Sequence, residues 1–252
     1  MSPRLPEDAD FSGTATVTIT PSQPPGSTPS HALILLHGLG DTIAPFSALA
    51  NRLNLPKAAV IALQAPMPMP FELGGYHWGD DLVFSKDPLS PSSSSADDEV
   101  LSPDAEFTRS GQFLKTVIHD VLEMRCGFTA SKNVILFGYG QGGMAALYMA
   151  ATKMNLCAVI SVGGWIPSAV RPREILDLPR STSVLLCGGD QGSAITEARL
   201  KYAEELFKEC RRVVLPRMKG DLMPRNKDEM APILRFLLRI LVPEALAQQG
   251  FS

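Results

Sequence analysis

The stretch "LFGYGQGGMAAL", from Leu136 to Leu147, decides the fold class. It reads as the end of an apolar strand, a sharp glycine-rich turn and the beginning of a helix. Similar apolar runs occur along the chain, and continuous runs of this kind are typical of strands buried on both faces of a parallel sheet. We predict strands at 31–38, 58–66, 133–138, 157–164, 183–189 and 211–216, with an exposed edge strand at 14–20.

Helical patterns lie between these runs. We predict helices at about 46–54, 105–125, 142–154, 194–210 and 226–241, because apolar residues recur there at helical spacing. Strands that alternate with helices predict an α/β fold, with a doubly wound, mostly parallel sheet, helices on both faces and right-handed crossovers.

The whole chain, residues 1–252, is predicted to form one domain with its core at about 31–241. Residues 1–13 are predicted to be a flexible N-terminus. The Ser-, Pro- and Asp-rich stretch 85–104 is predicted to be a low-complexity surface loop. A tolerated insertion is the favoured interpretation of this loop, and a lid or a phosphorylation-controlled segment is the alternative.

Composition excludes several classes of function. The net charge of −3 comes without a basic stripe, so no nucleic-acid partner is expected. No apolar run approaches the roughly 20 residues of a membrane span, and "MSPRLPEDAD" at the start lacks the apolar centre of a signal peptide. The four cysteines have no zinc-site spacing, so we expect a reducing, cytoplasmic environment and no metal. No nucleotide-binding or metalloprotease motif occurs either, and no cofactor is expected.

Five segments together resemble the phospholipase/carboxylesterase family of α/β-hydrolases, which includes the acyl-protein thioesterases. They are, in chain order, "LILLHGLGDT" (33–42), "LQAPMPMPFELGGYHWGD" (63–80), "LFGYGQGGMAAL" (136–147), "LLCGGDQGS" (185–193) and "RNKDEMAPILRFLLRIL" (225–241). The resemblance spans about residues 31–241 and implies an α/β-hydrolase fold. It also implies the cleavage of acyl esters or thioesters by a Ser-Asp-His triad without a cofactor.

The resemblance also implies the parts of a substrate site. The family's nucleophile sits on a tight strand-to-helix turn that only small neighbours allow, and Gly138, Gly142 and Gly143 supply them here. The amides of Leu39 and Gln141 would face the substrate oxyanion. The oxyanion-loop and pocket residues that the resemblance assigns are Leu39, Gly40, Trp78, Tyr139 and Gln141.

All three reactive positions of the family are vacated in this chain. The serine position of the G-x-S-x-G motif holds Gly140, the aspartate position falls at Gly192, and the histidine position falls at Met223 or within two residues of it. No histidine follows His119. Loss of one triad member typically costs on the order of a million-fold in turnover, or roughly 8 kcal/mol of barrier. We therefore predict that no intact catalytic triad exists.

Three functions remain open at this stage. The first is an inactive relative that binds a lipid or acyl ligand in the cleft, or a protein partner or second copy of itself. The second is an active carboxylesterase, acyl-protein thioesterase or lysophospholipase with relocated groups, in which His77 would pair with Cys187 or Ser193. The third is a regulator that dimerises with an active relative. The residues predicted either to line an apolar cleft or to pack the core are Met67, Met69, Phe71, Leu73, Trp78 and Tyr139.

Overall fold

A seven-stranded sheet with helices on both faces forms the body of the molecule, which confirms the predicted fold class. The structure is a computed structural model and describes residues 2–86, 99–172, 175 and 178–244. The strands are β1 Val17–Thr20, β2 His31–Leu36, β3 Ala58–Leu63, β4 Met67–Pro68, β5 Tyr76–His77, β6 Val83–Lys86, β7 Glu99–Ser102, β8 Val134–Tyr139, β9 Ala158–Val162, β10 Arg180–Gln191 and β11 Phe207–Lys219.

The large sheet has the order β1-β3-β2-β8-β9-β10-β11. Only its edge strand β1 runs antiparallel to its neighbour, and all the other pairs are parallel. Every residue of β3 and β9 is buried, because helices cover both faces of the sheet. Because β2 and β8 are parallel neighbours, their carboxyl ends meet at one edge of the sheet, where the loops that follow them lie side by side.

Two apolar cores lie on the two faces of this sheet. The helices are α1 Ile43–Leu53, α2 Thr108–Thr116, α3 Ala130–Asn133, α4 Gln141–Thr152, α5 Glu197–Leu206 and α6 Lys227–Leu241, and a π-helical segment, Val117–Glu123, continues α2. Residues of α2, α4 and α5 pack in one core, and residues of α1 and α6 pack in the other. Alternate residues of β2 enter opposite cores, Ile34 the first and Leu33 the second.

Helix α4 is the most deeply buried helix in the described part of the chain. All its residues from Gln141 to Ala151 are buried. Glycine, alanine and methionine make up most of it, so it lacks the polar face of a surface helix and fits closely against the sheet. The close packing of α4 therefore fixes the end of the turn that precedes it.

Several elements differ from the predicted ones. The helix predicted at 194–210 ends at Leu206, because Phe207 begins β11 and pairs with Arg180. Part of the predicted loop 85–104 forms strands, since β6 and β7 pair as an antiparallel ribbon, and residues 87–98 lie outside the described residues. Within the N-terminal stretch 1–13, Asp8–Phe11 forms a short 3-10 helix, Phe11 is buried, and the Arg4 guanidinium pairs with Asp10 at 2.6 Å, while most of the other described residues of this stretch are exposed.

Candidate functional site

The turn between β8 and α4 has a backbone conformation that glycine alone adopts without strain. Gly140, at its apex, has φ +50° and ψ −118°. Its N–H donates to the Val162 carbonyl at 2.8 Å, and its own carbonyl accepts from the Met144 N–H at 3.0 Å. A residue with a Cβ would be strained in this conformation, so the turn is held firmly in a geometry that suits the glycine present.

The glycines around the apex are required by close backbone contacts. A Cβ on Gly138 would lie 2.3 Å from the Gly142 carbonyl oxygen, and a Cβ on Gly142 would lie 2.4 Å from the His37 carbonyl oxygen. A Cβ on Gly140 would meet no atom of the described residues within 4 Å. The turn is therefore tightly packed below its apex and open above it.

A cleft of about 450 Å³ opens above the apex. Its lining residues are Gly38, Leu39, Gly40, Asp41, Pro103, Tyr139, Gly140 and Gln141. The structure thus brings four of the five predicted oxyanion-loop and pocket residues together, and the fifth, Trp78, lies outside the lining. Tyr139 packs its ring against Gly38, where a Cβ would approach the ring to 3.0 Å.

Trp78 and Gln141 fix the wall of the cleft from beneath. Trp78 is fully buried, and its indole N–H donates to the His37 carbonyl at 2.9 Å. The Gln141 side chain is 1% exposed, accepts from the Trp78 backbone N–H at 2.7 Å and donates to the Pro103 carbonyl at 3.3 Å. These two residues therefore tie three chain segments to the start of α4.

His37 is held as a neutral structural residue under the loop that follows β2. Its Nε2 accepts from the Ala65 N–H at 3.0 Å and lies 2.8 Å from Gln64 Nε2. A ring nitrogen that accepts carries no proton, so the proton is on Nδ1, which donates to the Gly38 carbonyl at 2.8 Å. Burial lowers the pKa of His37. Both ring nitrogens are engaged, and neither is available to move a proton in the cleft.

The backbone N–H groups of Leu39 and Gln141, which line the cleft, donate to no acceptor within the described residues. Gln141 is the first residue of α4, and the first N–H groups of a helix have no acceptor within it. Because both residues line the cleft, these amides are the available donors for a carbonyl or carboxylate oxygen of a ligand.

The relocated groups considered from the sequence do not pair in the structure. The Nδ1 of His77 lies 2.9 Å from the Gly79 carbonyl, and neither Cys187 nor Ser193 contacts the ring. Burial raises the pKa of Cys187 to about 12, so its reactive thiolate form is scarce near neutral pH. The Ser193 hydroxyl instead accepts from the Ile195 N–H at 3.0 Å.

One contact between a serine and a histidine does occur in the described part of the chain. The Ser30 hydroxyl lies 2.9 Å from His31 Nδ1 and 3.3 Å from the Lys57 carbonyl. His31 begins β2, whereas Gly38 follows the carboxyl end of that strand. This pair is therefore at the opposite edge of the sheet from Gly140 and does not reach the cleft.

The loops that carry the predicted aspartate and histidine positions are joined by a different residue. Gly192 follows β10 with φ +64°. Asp221, in the loop after β11, accepts from the Gly189 N–H at 3.1 Å and from the Ala194 N–H at 2.6 Å. Its carboxylate therefore links the two loops in which a catalytic Asp-His pair would meet. No local sequence pattern indicates this linking role of Asp221, because it depends on how two loops meet.

Met223 turns away from the cleft. It packs in the core on the face of α1 and α6 and lines a separate groove beside Met230. The predicted apolar lining of the cleft is also only partly present, because Met67, Met69, Phe71 and Leu73 are absent from it. Phe71 is 90% exposed and Leu73 69% exposed, at the tip of the β4–β5 hairpin.

Neither a metal-ion site nor a membrane-spanning helix is found among the described residues. They contain no cluster of three or more His, Cys, Asp or Glu side chains arranged to hold a metal ion. Of the helices in the same part of the chain, none has both the length and the apolar character needed to span a bilayer.

Comparison with protein-family models matches residues 18–241 to the phospholipase/carboxylesterase model. An uncharacterised hydrolase of Schizosaccharomyces pombe is 30% identical over 147 residues, which are 56% of this chain and 55% of that protein. An uncharacterised hydrolase of Mycosarcoma maydis is 29% identical over 194 residues, which are 70% of this chain and 69% of that protein.

Solved structures share the fold at low sequence identity. The crystal structure of esterase PE8 superposes with a TM-score of 0.69 at 23% identity, covering 90% of this chain and 100% of the esterase chain. The acyl-protein thioesterase 2 of Zea mays superposes with a TM-score of 0.63 at 18% identity, covering 90% and 99%.

Proposed function

Because the chain belongs to the phospholipase/carboxylesterase family, we propose that it is a non-catalytic member that binds an acyl ligand in the cleft above Gly140 without cleaving it. The observation that carries this proposal is the apex of the turn. The backbone there is held in a conformation that strains any residue with a Cβ, and open space lies above it, yet the residue has no side chain to attack a substrate. We assign Gly140, Gly192 and Met223 to the vacated serine, aspartate and histidine positions.

Binding is supported by what the cleft retains. The free amides of Leu39 and Gln141 stand at its wall, and hydrogen bonds from fixed amides orient a carbonyl oxygen. The cleft volume of about 450 Å³ lies within the range of small-molecule sites. The buried bonds of Gln141 and Trp78 hold these donors in place before a ligand arrives.

The absence of hydrolysis is supported by the lack of a free histidine base at the cleft. Nucleophilic catalysis needs a base within about 3 Å of the nucleophile. In the described residues, the two histidines on the segments that build the cleft and its wall, His37 and His77, are bonded to backbone carbonyls. The alternative of an active carboxylesterase, thioesterase or lysophospholipase with relocated groups requires such a pair at this edge, and no described serine or cysteine there contacts a histidine.

We also propose a reducing, cytoplasmic environment for this protein. All four cysteines are free thiols, two of them buried and two partly buried. Burial raises the pKa of Cys126 and of Cys157 to about 11, and thiols with high pKa values react slowly. These cysteines are therefore best explained as packing residues, which agrees with the absence of disulfides.

Two variants of one residue test the proposed ligand site. Gly140→Phe places a large ring in the cleft, and Gly140→Ala introduces the same backbone strain without blocking the cleft. The ligand is a neutral acyl thioester, hexanoyl-N-acetylcysteamine, and binding is followed by the amide NMR shifts of Leu39 and Gln141. We expect saturable shifts at both amides in the natural protein and in Gly140→Ala, and their loss in Gly140→Phe.

The same samples report on hydrolysis, because free N-acetylcysteamine can be measured with a thiol reagent. We expect release no faster than in buffer. Saturable shifts that persist in Gly140→Phe would place the ligand elsewhere, and unchanged Leu39 and Gln141 signals in the natural protein would rule the site out.

A further inference from the structure

A second groove lies between α1 and α6, on the face of the sheet that carries the smaller core. Its volume is about 800 Å³. The residues that line it are Leu49, Arg52, Leu53, Met223, Pro224, Arg225, Asn226, Lys227, Met230, Ala231 and Leu234. None of these residues lines the cleft above Gly140, so the groove is separate from that cleft.

The floor of the groove is apolar. Leu53, Met223 and Met230 are partly buried and pack against the core beneath. They leave apolar surface facing the groove, and methionine side chains adapt their shape to varied apolar ligands. The floor therefore suits a flexible hydrocarbon chain.

The rim of the groove is cationic. Arg52, Arg225 and Lys227 are all exposed, and no Asp or Glu is among the lining residues. No ion pair joins these three side chains to a carboxylate of the described residues. The nearby Glu229 is already engaged, since its carboxylate accepts from the Arg225 N–H at 2.8 Å and from Asn226 Nδ2 at 2.8 Å. Three cationic side chains, none of them in an ion pair within the described residues, border an apolar floor and complement a ligand with one anionic end and one apolar body.

We propose that this groove binds a single-chain anionic amphiphile, a free long-chain fatty acid, with its chain on the floor between α1 and α6 and its carboxylate at the cationic rim. A recessed groove of this size favours a single chain over the surface of a membrane, because a bilayer cannot enter a concavity between two helices. The charge of the rim favours a fatty acid over an uncharged lipid.

The proposal is tested with dansyl-labelled undecanoic acid, whose fluorescence rises in an apolar site, and with competition by hexadecanoate and by hexadecanol. We expect saturable binding that hexadecanoate displaces much better than hexadecanol. The triple variant Arg52→Gln, Arg225→Gln, Lys227→Gln should weaken binding about tenfold. Added salt should weaken binding to the natural protein and have little effect on the triple variant.

Two further variants make the test specific. Lys201→Gln, Arg235→Gln, Arg239→Gln removes three exposed charges that do not line the groove, and it should bind as the natural protein does. Met230→Trp fills the floor and leaves the three cations in place, so it should lose the probe. A circular-dichroism melting curve confirms that each variant is folded, and the charge variant is informative by itself if Met230→Trp does not fold.

Three results would overturn the proposal. The first is equal displacement by hexadecanol and hexadecanoate. The second is unchanged probe binding in both groove variants, which would place the probe elsewhere, including the cleft above Gly140. The third is binding to vesicles of phosphatidylcholine and phosphatidylserine that the charge variant loses and Met230→Trp keeps, which would make the rim a membrane-contact surface.

Discussion

Gly140 shows how one residue separates the shape of a site from its chemistry. Its backbone angles place it at the apex of a sharp turn. A Cβ on its neighbour Gly138 or Gly142 would clash with nearby backbone atoms, so only glycine fits at these two positions. The absence of a side chain at position 140 relieves the strain that any other residue would suffer. The turn is therefore stable for its own physical reasons, whether or not it carries a nucleophile.

Restoring the serine should not restore the chemistry. We expect Gly140→Ser to fold, because a Cβ there meets no atom of the described residues within 4 Å. Its free energy of unfolding should fall by about 1–3 kcal/mol, since the conformation is unfavourable for a residue with a Cβ. Urea denaturation measures the loss, and a fluorophosphonate probe should leave the introduced hydroxyl unlabelled, because no histidine of the described residues is in reach to take its proton.

Gly140→Ala is the matched control for this variant, since it introduces the strain without the hydroxyl. The two variants should lose the same stability within error. Rapid labelling of Gly140→Ser, absent from Gly140→Ala, would mean that a base does serve this position.

His37 makes stability depend on pH. Burial lowers its pKa in the folded protein below the unfolded value of about 6.5. The unfolded chain therefore binds more protons as the pH falls through about 6.5, and the free energy of unfolding decreases there. His37→Gln supplies an uncharged acceptor, so the free energy of unfolding of this variant should change less with pH between about 5 and 7. The slopes of the two proteins should differ by up to roughly 1.4 kcal/mol per pH unit.

Urea denaturation of the natural protein and of His37→Gln at a series of pH values gives the two slopes. Parallel curves for the two proteins would show that His37 is not held neutral in the way its hydrogen bonds indicate.

At the scale of elements, the sequence predicts best where burial is complete. The continuous apolar runs of β2, β3, β8 and β9 are unmistakable because both faces of these strands are covered. Neither the β4–β5 hairpin nor the β6–β7 ribbon was predicted, since strands of two to four residues have too few side chains to show a period. The end of α5 was misplaced because pairing of Phe207 with Arg180, a contact distant in sequence, overrides the local helical pattern.

In the candidate site, too, some residues are recognisable from the sequence and others are not. The glycines of the turn and the loop at 37–40 are recognisable because close backbone approach permits few residue types there. For Trp78 the sequence left open a place in the pocket or in the core, and the residue lies fully buried beneath the wall of the cleft. The linking role of Asp221 and the direction of Met223 depend on how two loops meet, and no local pattern encodes that arrangement.

Helix α6 begins with a cap that should contribute measurably to stability. The Asn226 side chain accepts from the Glu229 N–H at 3.0 Å, and the Glu229 carboxylate returns to the Arg225 N–H. Asn226→Ala should lower the free energy of unfolding by about 1 kcal/mol, and Asn226→Asp, which keeps the accepting oxygen, should lose much less. Equal losses in urea denaturation would show that the cap contributes nothing through its side-chain acceptor.

At the scale of the whole molecule, the fold keeps the scaffold of a hydrolase, and its described residues lack a proton-transfer chain at the place where the scaffold would hold one. The sheet aligns the ends of β2 and β8, the helices on both faces hold α4 in place, and a cleft with free amides results. Family membership rests on a match that covers most of the chain, residues 18–241. One experiment on the purified protein tests directly whether this scaffold leaves an acyl ester intact.

That experiment follows the purified protein with an excess of p-nitrophenyl butyrate, recording p-nitrophenol by absorbance and the intact protein by mass spectrometry in the same tube. We expect p-nitrophenol to be released no faster than with heat-killed protein, and we expect no butyryl adduct on the protein. Turnover at enzymic speed, or a butyryl adduct that forms and then disappears as substrate is consumed, would contradict it.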